Sequence, residues 1–216
     1  MTEVPFHQLL PRRSPRQKRS RLLYDKILTT ARELFERDGF AYVTTNAIAE
    51  TAQISIGSLY QYFKNCESIA LAVYENACGS AALTMKRMTL DSLALPLEES
   101  TSRHIELLID IFEKNYYALF QIINEVPELR RVARPMSFET LISHTTQIAL
   151  EQRFPKTDRL TIARKAYVLN RAVLGVLSGY VEEAPDFLKR KEVVAEMVAL
   201  VHQYFRTLSR RSGAQG

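Results

Sequence analysis

The chain has 216 residues, of which 46% are hydrophobic and 25% are charged. This length suits one large domain or a small domain joined to a larger one, and the composition excludes wholesale disorder. Only seven glycines, no tryptophan and little strict apolar alternation favour helices over strands, so we expect an all-α fold.

The net charge of +5 is unevenly distributed. Residues 12–21 hold six basic residues and no acidic one, whereas residues 22–64 hold four basic and five acidic residues. With its three prolines, the segment 1–19 has the composition of a flexible basic arm. Such an arm beside a DNA-reading element would neutralise phosphates; its alternative is a solvated tail.

A first helix is expected from Ser20 to Asp38, since it carries an apolar stripe and is followed by Gly39. A short second helix should run from Asn46 to Thr51, with Thr44 or Thr45 as its N-cap.

Residues 52–54 then form a tight turn before a third short helix, Ser55 to about Tyr62. The spacing of Ile56, Leu59 and Phe63 predicts that these three residues form its buried side.

A fourth helix should begin after Asn65, a plausible N-cap, and continue to about Met88. Apolar periodicity and proline positions predict further helices downstream. These cover about residues 98–124, a short piece at 127–134, and then residues 137–153, 158–183 and 187–209.

Two short helices joined by a three-residue turn and packed on a longer helix describe a helix-turn-helix, whose second helix enters the DNA major groove. The stretch "TTNAIAETAQISIGSLYQYFKN", followed by "IALAVYENA", resembles the DNA-binding domain of the TetR family of bacterial transcription regulators. The resemblance covers about residues 20–75. It implies a flexible basic arm at residues 1–19 and a DNA-binding domain at residues 20–66, with the helix-turn-helix at about 44–63. A connecting helix at residues 67–88 would then lead into a helical effector-binding and dimerisation domain at residues 89–210.

The expected partner is double-stranded operator DNA. The residues assigned to it are small, polar or basic, or are tyrosines to which the resemblance gives phosphate contacts. They are Arg21, Thr44, Thr45, Ser55, Gly57, Ser58, Tyr60, Gln61, Tyr62 and Lys64.

One residue departs from the family pattern: Cys66 stands where many members have a lysine after the residue that opens the fourth helix. Without this lysine the site has one positive charge fewer, but the N–H groups at the start of the helix can still donate to phosphate. An alternative role for Cys66 is a redox-sensitive thiol, since helix N-termini lower thiol pKa values.

Catalysis is not expected. The four histidines lack metal-ligand spacing, and neither a phosphate-binding glycine loop nor a nucleophile elbow is present. We therefore predict no catalytic residues, no metal and no cofactor. Two cysteines are too few for a disulfide framework, no N-terminal secretory signal is evident and no apolar segment is long enough to span a membrane. These features indicate a cytoplasmic protein without a membrane partner.

The resemblance also implies a cavity for a small hydrophobic or amphipathic effector. Aromatic walls with a few polar anchors suit such a site, although an ordinary aromatic core has the same composition. The candidate lining residues are Phe112, Tyr116, Tyr117, Phe120, His144, Asn170 and Arg171.

In TetR-like proteins the last two long helices form a four-helix bundle with their symmetry mates, which implies a homodimer. The alternative is burial of both helices wholly within one protomer. The candidate interface residues are Leu174, Gly175, Gly179, Val194, Met197, Val201, Tyr204 and Phe205.

Together these features predict a DNA-binding transcriptional regulator, a repressor that binds a pseudo-palindromic operator and is released by a small molecule. In the alternative, the C-terminal domain of a DNA-bound interaction protein binds another protein.

Overall fold

We describe the chain from a computed structural model. It describes Pro11, residues 17–132 and residues 137–212, with the backbone alone for 130–132 and 206–212. Every regular element within these ranges is helical, so the prediction of an all-α fold is confirmed. The predicted basic arm falls outside the described residues, apart from Pro11 and residues 17–19.

Ten α-helices follow one another in the described ranges, with a 3-10 turn (Phe40–Tyr42) after the first and a π-helical turn (Tyr117–Gln121) after the fifth. They are α1 (Lys18–Asp38), α2 (Thr45–Thr51), α3 (Ile56–Tyr60), α4 (Cys66–Ser92), α5 (Leu97–Tyr116), α6 (Ile122–Glu125), α7 (Pro127–Val132), α8 (Phe138–Arg153), α9 (Arg159–Glu183) and α10 (Arg190–Ser212).

The chain forms two compact units. The first comprises Met1–Gly79 and Tyr117–Ser137, and the second comprises Ser80–Tyr116 and Phe138–Gly216. The first unit thus contains α1 to α3 and also α6 and α7, which the sequence had placed far from the DNA-binding domain. Its core is formed by apolar side chains of these elements, of the residues that follow α3 and α6, and of the first turn of α4: Ile27, Ala31, Phe35, Ile48, Leu59, Phe63, Ile69, Ile122, Val126 and Leu129.

The helix starts around the helix-turn-helix follow the predicted capping chemistry. The Thr44 hydroxyl accepts a hydrogen bond from the Ala47 N–H at 3.1 Å, which makes Thr44 the N-cap of α2. Asn65 Oδ1 accepts from the Ser68 N–H at 3.0 Å at the start of α4. Gly39 ends α1 with φ of +83°, a conformation that favours glycine.

The predicted continuous helix over residues 98–124 is wrong. Asn115 has φ of −132° and ψ of 17°, and the backbone continues as a π-helical turn before α6. The Asn115 side-chain amide donates to the Ile111 carbonyl at 2.9 Å, so it occupies an acceptor that the helical backbone would otherwise use.

The second unit packs α8 on α9, and α5 on both α9 and α10. Its α10 begins at Arg190, three residues after the predicted start at Phe187, whose side chain is 85% exposed. Arg190 makes an ion pair with Glu113 at 3.0 Å and another with Asp110, so two carboxylates of α5 hold the first residue of α10 in place.

Candidate functional site

The turn between α2 and α3 is closed by backbone hydrogen bonds. The Ile54 N–H donates to the Ala49 carbonyl at 3.0 Å, and Gln53 has φ of 52°, in the left-handed region. Ser55 then caps α3, since its hydroxyl accepts from the Ser58 N–H at 3.1 Å. These bonds fix where α3 begins and which side of it faces outward.

The buried side of α3 differs from the prediction. Leu59 and Phe63 have no exposed surface, as expected, but Ile56 is 36% exposed and is not a core residue. Tyr62 takes the third buried position: it is 5% exposed, and its ring packs edge-on against Tyr24 with centroids 5.8 Å apart. Tyr62 lies three residues after Leu59 and beside Phe63, whereas Ile56 is the first residue of the helix and extends beyond the core.

The residues predicted to bind DNA therefore fall into three groups. Exposed ones are Arg21, Thr44, Ser55, Gly57, Tyr60 and Gln61; half-buried ones are Thr45, Ser58 and Lys64; and Tyr62 is buried. Tyr60 also links the two short helices, since its hydroxyl lies 3.0 Å from the Thr45 hydroxyl.

Cys66 lies at the first position of α4. Its thiol donates to the Val43 carbonyl at 3.4 Å, and burial, aided by the charge of Glu67, raises the thiol pKa to about 11. A thiol with this pKa is protonated at neutral pH and is a poor nucleophile. The redox alternative therefore gains no support from the geometry.

Glu125 makes contacts that the sequence analysis did not predict. Its Oε2 accepts a hydrogen bond from the Phe40 N–H and another from the Tyr117 hydroxyl, each at 2.9 Å. Burial, with Glu125 as its hydrogen-bond partner, raises the pKa of Tyr117. Glu125 thus fixes the turn that leads into the helix-turn-helix, and a separation of 85 residues from Phe40 leaves no local sequence signal for this contact.

The second unit contains a cavity of about 130 Å³ that is partly open to solvent. Its walls come from α4, α5, α8, α9 and α10 and the segment between α4 and α5. The lining residues are Met85, Thr89, Ser92, Leu93, Leu97, Ser100, Thr101, His104, Ile105, Leu108, Ile142, Thr145, Thr146, Ala149, Leu150, Arg153, Leu169, Asn170, Val173, Val201 and Phe205. The walls are largely apolar, which is typical of a small-molecule site.

Of the residues predicted to line an effector site, Asn170 borders this cavity. Its side chain is already engaged, because Oδ1 accepts from the Thr146 hydroxyl at 3.0 Å and Nδ2 donates to the Ser143 hydroxyl at 3.3 Å. The polar lining residues Thr89, Ser92, His104 and Arg153 were not predicted.

The remaining predicted effector residues lie elsewhere. In the second unit, Phe112 packs on Phe138, the Tyr116 hydroxyl donates to Glu182 at 2.6 Å, His144 is exposed, and Arg171 is exposed and paired with Glu139 at 3.0 Å. Tyr117 and Phe120 belong to the first unit.

The predicted dimer residues divide similarly. Leu174, Val194, Met197, Val201 and Phe205 are buried within the protomer, Gly175 is exposed, and Gly179 and Tyr204 are half-buried. Other apolar residues of α9 and α10 are more exposed: Val168 at 50%, Val176 at 43% and Leu200 at 45%.

Two further findings concern the described part of the chain. Its His, Cys, Asp and Glu side chains form no group of three that could hold a metal ion. None of its helices is long and apolar enough to cross a membrane.

The capped α2–turn–α3 arrangement, with an outward polar edge on α3, is that of a helix-turn-helix, a DNA-binding motif. Residues 27–73 match the family model of bacterial regulatory proteins of the tetR family. The likeness to the tetR family thus covers the helix-turn-helix and the residues on either side of it.

A curated relative is the uncharacterized HTH-type transcriptional regulator YerO of Bacillus subtilis, which is 29% identical over 110 residues. The match covers 50% of this chain but only 38% of that relative.

Solved structures extend the likeness in fold to most of the chain. A TetR-family regulator from Mesorhizobium loti superposes with a TM-score of 0.72 at 17% identity and covers 88% of this chain and 98% of that one. A SmeT–triclosan complex superposes with a TM-score of 0.64 at 18% identity and covers 86% of this chain and 91% of that one.

Proposed function

We propose that this protein is a cytoplasmic transcriptional repressor that binds a pseudo-palindromic operator as a homodimer and leaves it when a small molecule binds the second unit. The proposal rests on which side chains of α3 and its caps are buried and which are exposed. Its Leu59 side is buried in the first unit, while Gly57 and Gln61 are exposed on the opposite side and Ser55 is exposed at its N-terminus.

The exposed side of α3 has the chemistry of a DNA-reading helix. A Gln side chain pairs with adenine in the major groove, and hydroxyl groups reach bases or phosphates. A Cβ added at Gly57 would meet only the Ser55 hydroxyl, at 3.9 Å. The fold itself therefore leaves room for a side chain at Gly57, and we attribute the glycine to close approach of the DNA backbone.

We assign the homodimer interface to the outer faces of α9 and α10. Val168, Val176 and Leu200 are exposed there, and Gly175 has open space around its Cβ position. A glycine without internal packing on a face with exposed valines suits close contact with a second copy. Two-fold symmetry would then place one α3 at each operator half-site.

The cavity supports small-molecule control. A cavity of about 130 Å³ between packed helices, partly open to solvent and largely apolar, gives a small molecule a place to bind, and a solved neighbour of the same fold is a triclosan complex. A completely filled second unit would instead favour the alternative, a DNA-bound protein that recruits another protein. Release follows if the effector and the operator prefer different conformations, because each ligand then weakens the binding of the other.

The test uses the purified full chain and DNA from upstream of its own gene and the neighbouring genes. We expect footprinting to show a protected inverted repeat, with a stoichiometry of a whole number of dimers. A screen of small molecules should then find compounds that release the DNA. Absence of any protected site would contradict DNA binding, and protection that no compound affects would favour the interaction-protein alternative.

A further inference from the structure

The cavity of the second unit contains an unmatched polar group. Ser92, the last residue of α4, is 1% exposed, and its hydroxyl has no hydrogen-bond partner. Throughout the described residues, no other buried side-chain polar atom lacks a partner in this way. A buried unpaired hydroxyl destabilises a protein, so its presence at a cavity wall indicates a binding role.

Neighbouring hydroxyls in the same unit behave differently. Thr89, Thr101 and Thr145 each donate to the carbonyl four residues earlier, at 2.9, 2.7 and 3.1 Å. This is the usual way for a helical hydroxyl to be satisfied. Ser92 makes no such bond, and its hydroxyl is therefore available to donate to, or accept from, a molecule in the cavity.

A second polar group of the cavity lining is the imidazole of His104. His104 Nδ1 is 2.6 Å from the Ser100 carbonyl, an acceptor, so Nδ1 carries the proton. Burial lowers the pKa of His104, which favours the neutral ring and leaves Nε2 as an acceptor.

The Thr89 hydroxyl is the partner of this acceptor. This hydroxyl is 3.1 Å from His104 Nε2 and 2.9 Å from the Met85 carbonyl, but it has one proton to donate. The Met85 carbonyl lies inside α4 and also has the helical N–H of Thr89 as a donor, so the Thr89 proton can turn to either acceptor. The cavity thus offers the free hydroxyl of Ser92 and, when Thr89 turns to Met85, an acceptor at His104 Nε2.

The charges around the cavity restrict the ligand further. No Asp or Glu lines it, and its one charged lining residue, Arg153, donates to the Leu95 carbonyl. An ammonium group would find no counter-charge. A carboxylate only accepts hydrogen bonds, so it could not bond to His104 Nε2.

We propose that the effector is a compact, uncharged molecule of about phenol size with one hydroxyl group, which accepts a hydrogen bond from Ser92 and donates one to His104 Nε2. This inference rests on the proposed effector function. The size follows from the volume, because an apolar cavity of about 150 Å³ holds benzene. Leu108, Ile142 and Val173 provide apolar walls for the ring.

The test compares phenol with toluene, which has a methyl group where phenol has its hydroxyl, by calorimetry on the full chain without DNA. A purely apolar cavity would prefer toluene, since burying an unpaired hydroxyl is unfavourable. We expect phenol to bind at least as tightly as toluene, and more tightly than benzoate or benzylamine.

Ser92→Ala provides the matched variant, and it removes an unpaired group, so folding is preserved. It should weaken phenol binding about fivefold while changing toluene binding by less than about twofold. The control is Thr84→Ala, an exposed position on α4, which should leave both affinities unchanged. Tighter binding of toluene or benzoate than of phenol, or an unchanged phenol-to-toluene ratio in Ser92→Ala, would overturn the inference.

A final measurement separates this inference from the proposed function. Operator affinity is determined with and without saturating phenol. Release of DNA supports both proposals. Failure of phenol to bind a protein that still binds its operator overturns the ligand class alone, whereas phenol binding as described with unchanged operator affinity supports the ligand class and overturns effector release.

Discussion

The Tyr117 hydroxyl donates a hydrogen bond to Glu125 Oε2 at 2.9 Å, and the same oxygen holds the Phe40 N–H at the same distance. Tyr117 is 3% exposed. One carboxylate oxygen thus satisfies a buried hydroxyl and a backbone group in the turn that precedes the helix-turn-helix.

Removal of this carboxylate should destabilise the first unit. Glu125→Ala leaves the buried Tyr117 hydroxyl without its partner, which costs about 1–3 kcal/mol, whereas water can replace the partner of the exposed Phe40 N–H. We expect a lower midpoint in urea unfolding, whereas Glu125→Gln, which keeps an acceptor oxygen, should lose less. Equal stability of the alanine variant and the parent protein would show that these bonds contribute nothing.

Base reading by α3 can be tested at Gln61. Gln61→Ala should weaken operator binding by about 1–3 kcal/mol and relax the preference at one base pair, because a bidentate contact to adenine is lost. Fluorescence anisotropy with the operator and with singly substituted operators measures both effects. Gln152→Ala, an exposed glutamine of the second unit, is the control. Unchanged affinity in Gln61→Ala would remove Gln61 from the interface.

The basic arm should control the salt dependence of DNA binding. Deletion of residues 1–16 removes Arg12, Arg13 and Arg16 and leaves α1, which begins at Lys18, intact. If all three arginines contact phosphates, the slope of log affinity against log salt becomes shallower by about 3 per protomer. Titrations at several salt concentrations measure it, and an unchanged slope would identify the arm as a solvated tail.

The proposed dimer interface can be disrupted at Gly175. Because its Cβ position is open within the protomer, Gly175→Arg should fold normally and yet place two cations near the two-fold axis. We expect the dimer dissociation constant to rise at least about 100-fold, as measured by analytical ultracentrifugation. Gly79→Arg, an equally open glycine on α4, is the control. A dimer that persists in Gly175→Arg would place the interface elsewhere.

Cys66 should react slowly. Its thiol pKa of about 11 leaves about one molecule in ten thousand as thiolate at neutral pH. In a Cys78→Ser background, alkylation by iodoacetamide should therefore be at least about 100-fold slower in the folded protein than in urea, and it should accelerate as the pH rises toward 11. Rapid alkylation at neutral pH would restore the redox alternative.

The order of the helices and their caps follows from the sequence because both depend on local chemistry. Thr44, Ser55 and Asn65 each accept from an N–H three residues later, which a short motif reveals. The burial of Tyr62 and the exposure of Ile56 could not be predicted from the local sequence, because Tyr62 is buried against Tyr24, a residue of another helix.

The cavity could not be located from sequence for a related reason. Aromatic residues such as Phe112 suggested a ligand pocket, but their rings fill the core. A void forms where side chains of several helices fail to meet, which no single helix encodes. In the sequence, Thr89 and Ser92 look like any other hydroxyl residues of a helix, because the sequence does not show their hydrogen-bond partners.

The unpaired Ser92 hydroxyl has a consequence for selection. Alanine at this position should raise the stability of the ligand-free protein by about 1 kcal/mol, because a buried unpaired group is lost. A laboratory screen for thermostable variants would therefore enrich Ser92 replacements and, with them, regulators that no longer sense their ligand. Serine would be retained at position 92 only under selection for the response to the ligand, and not under selection for stability alone.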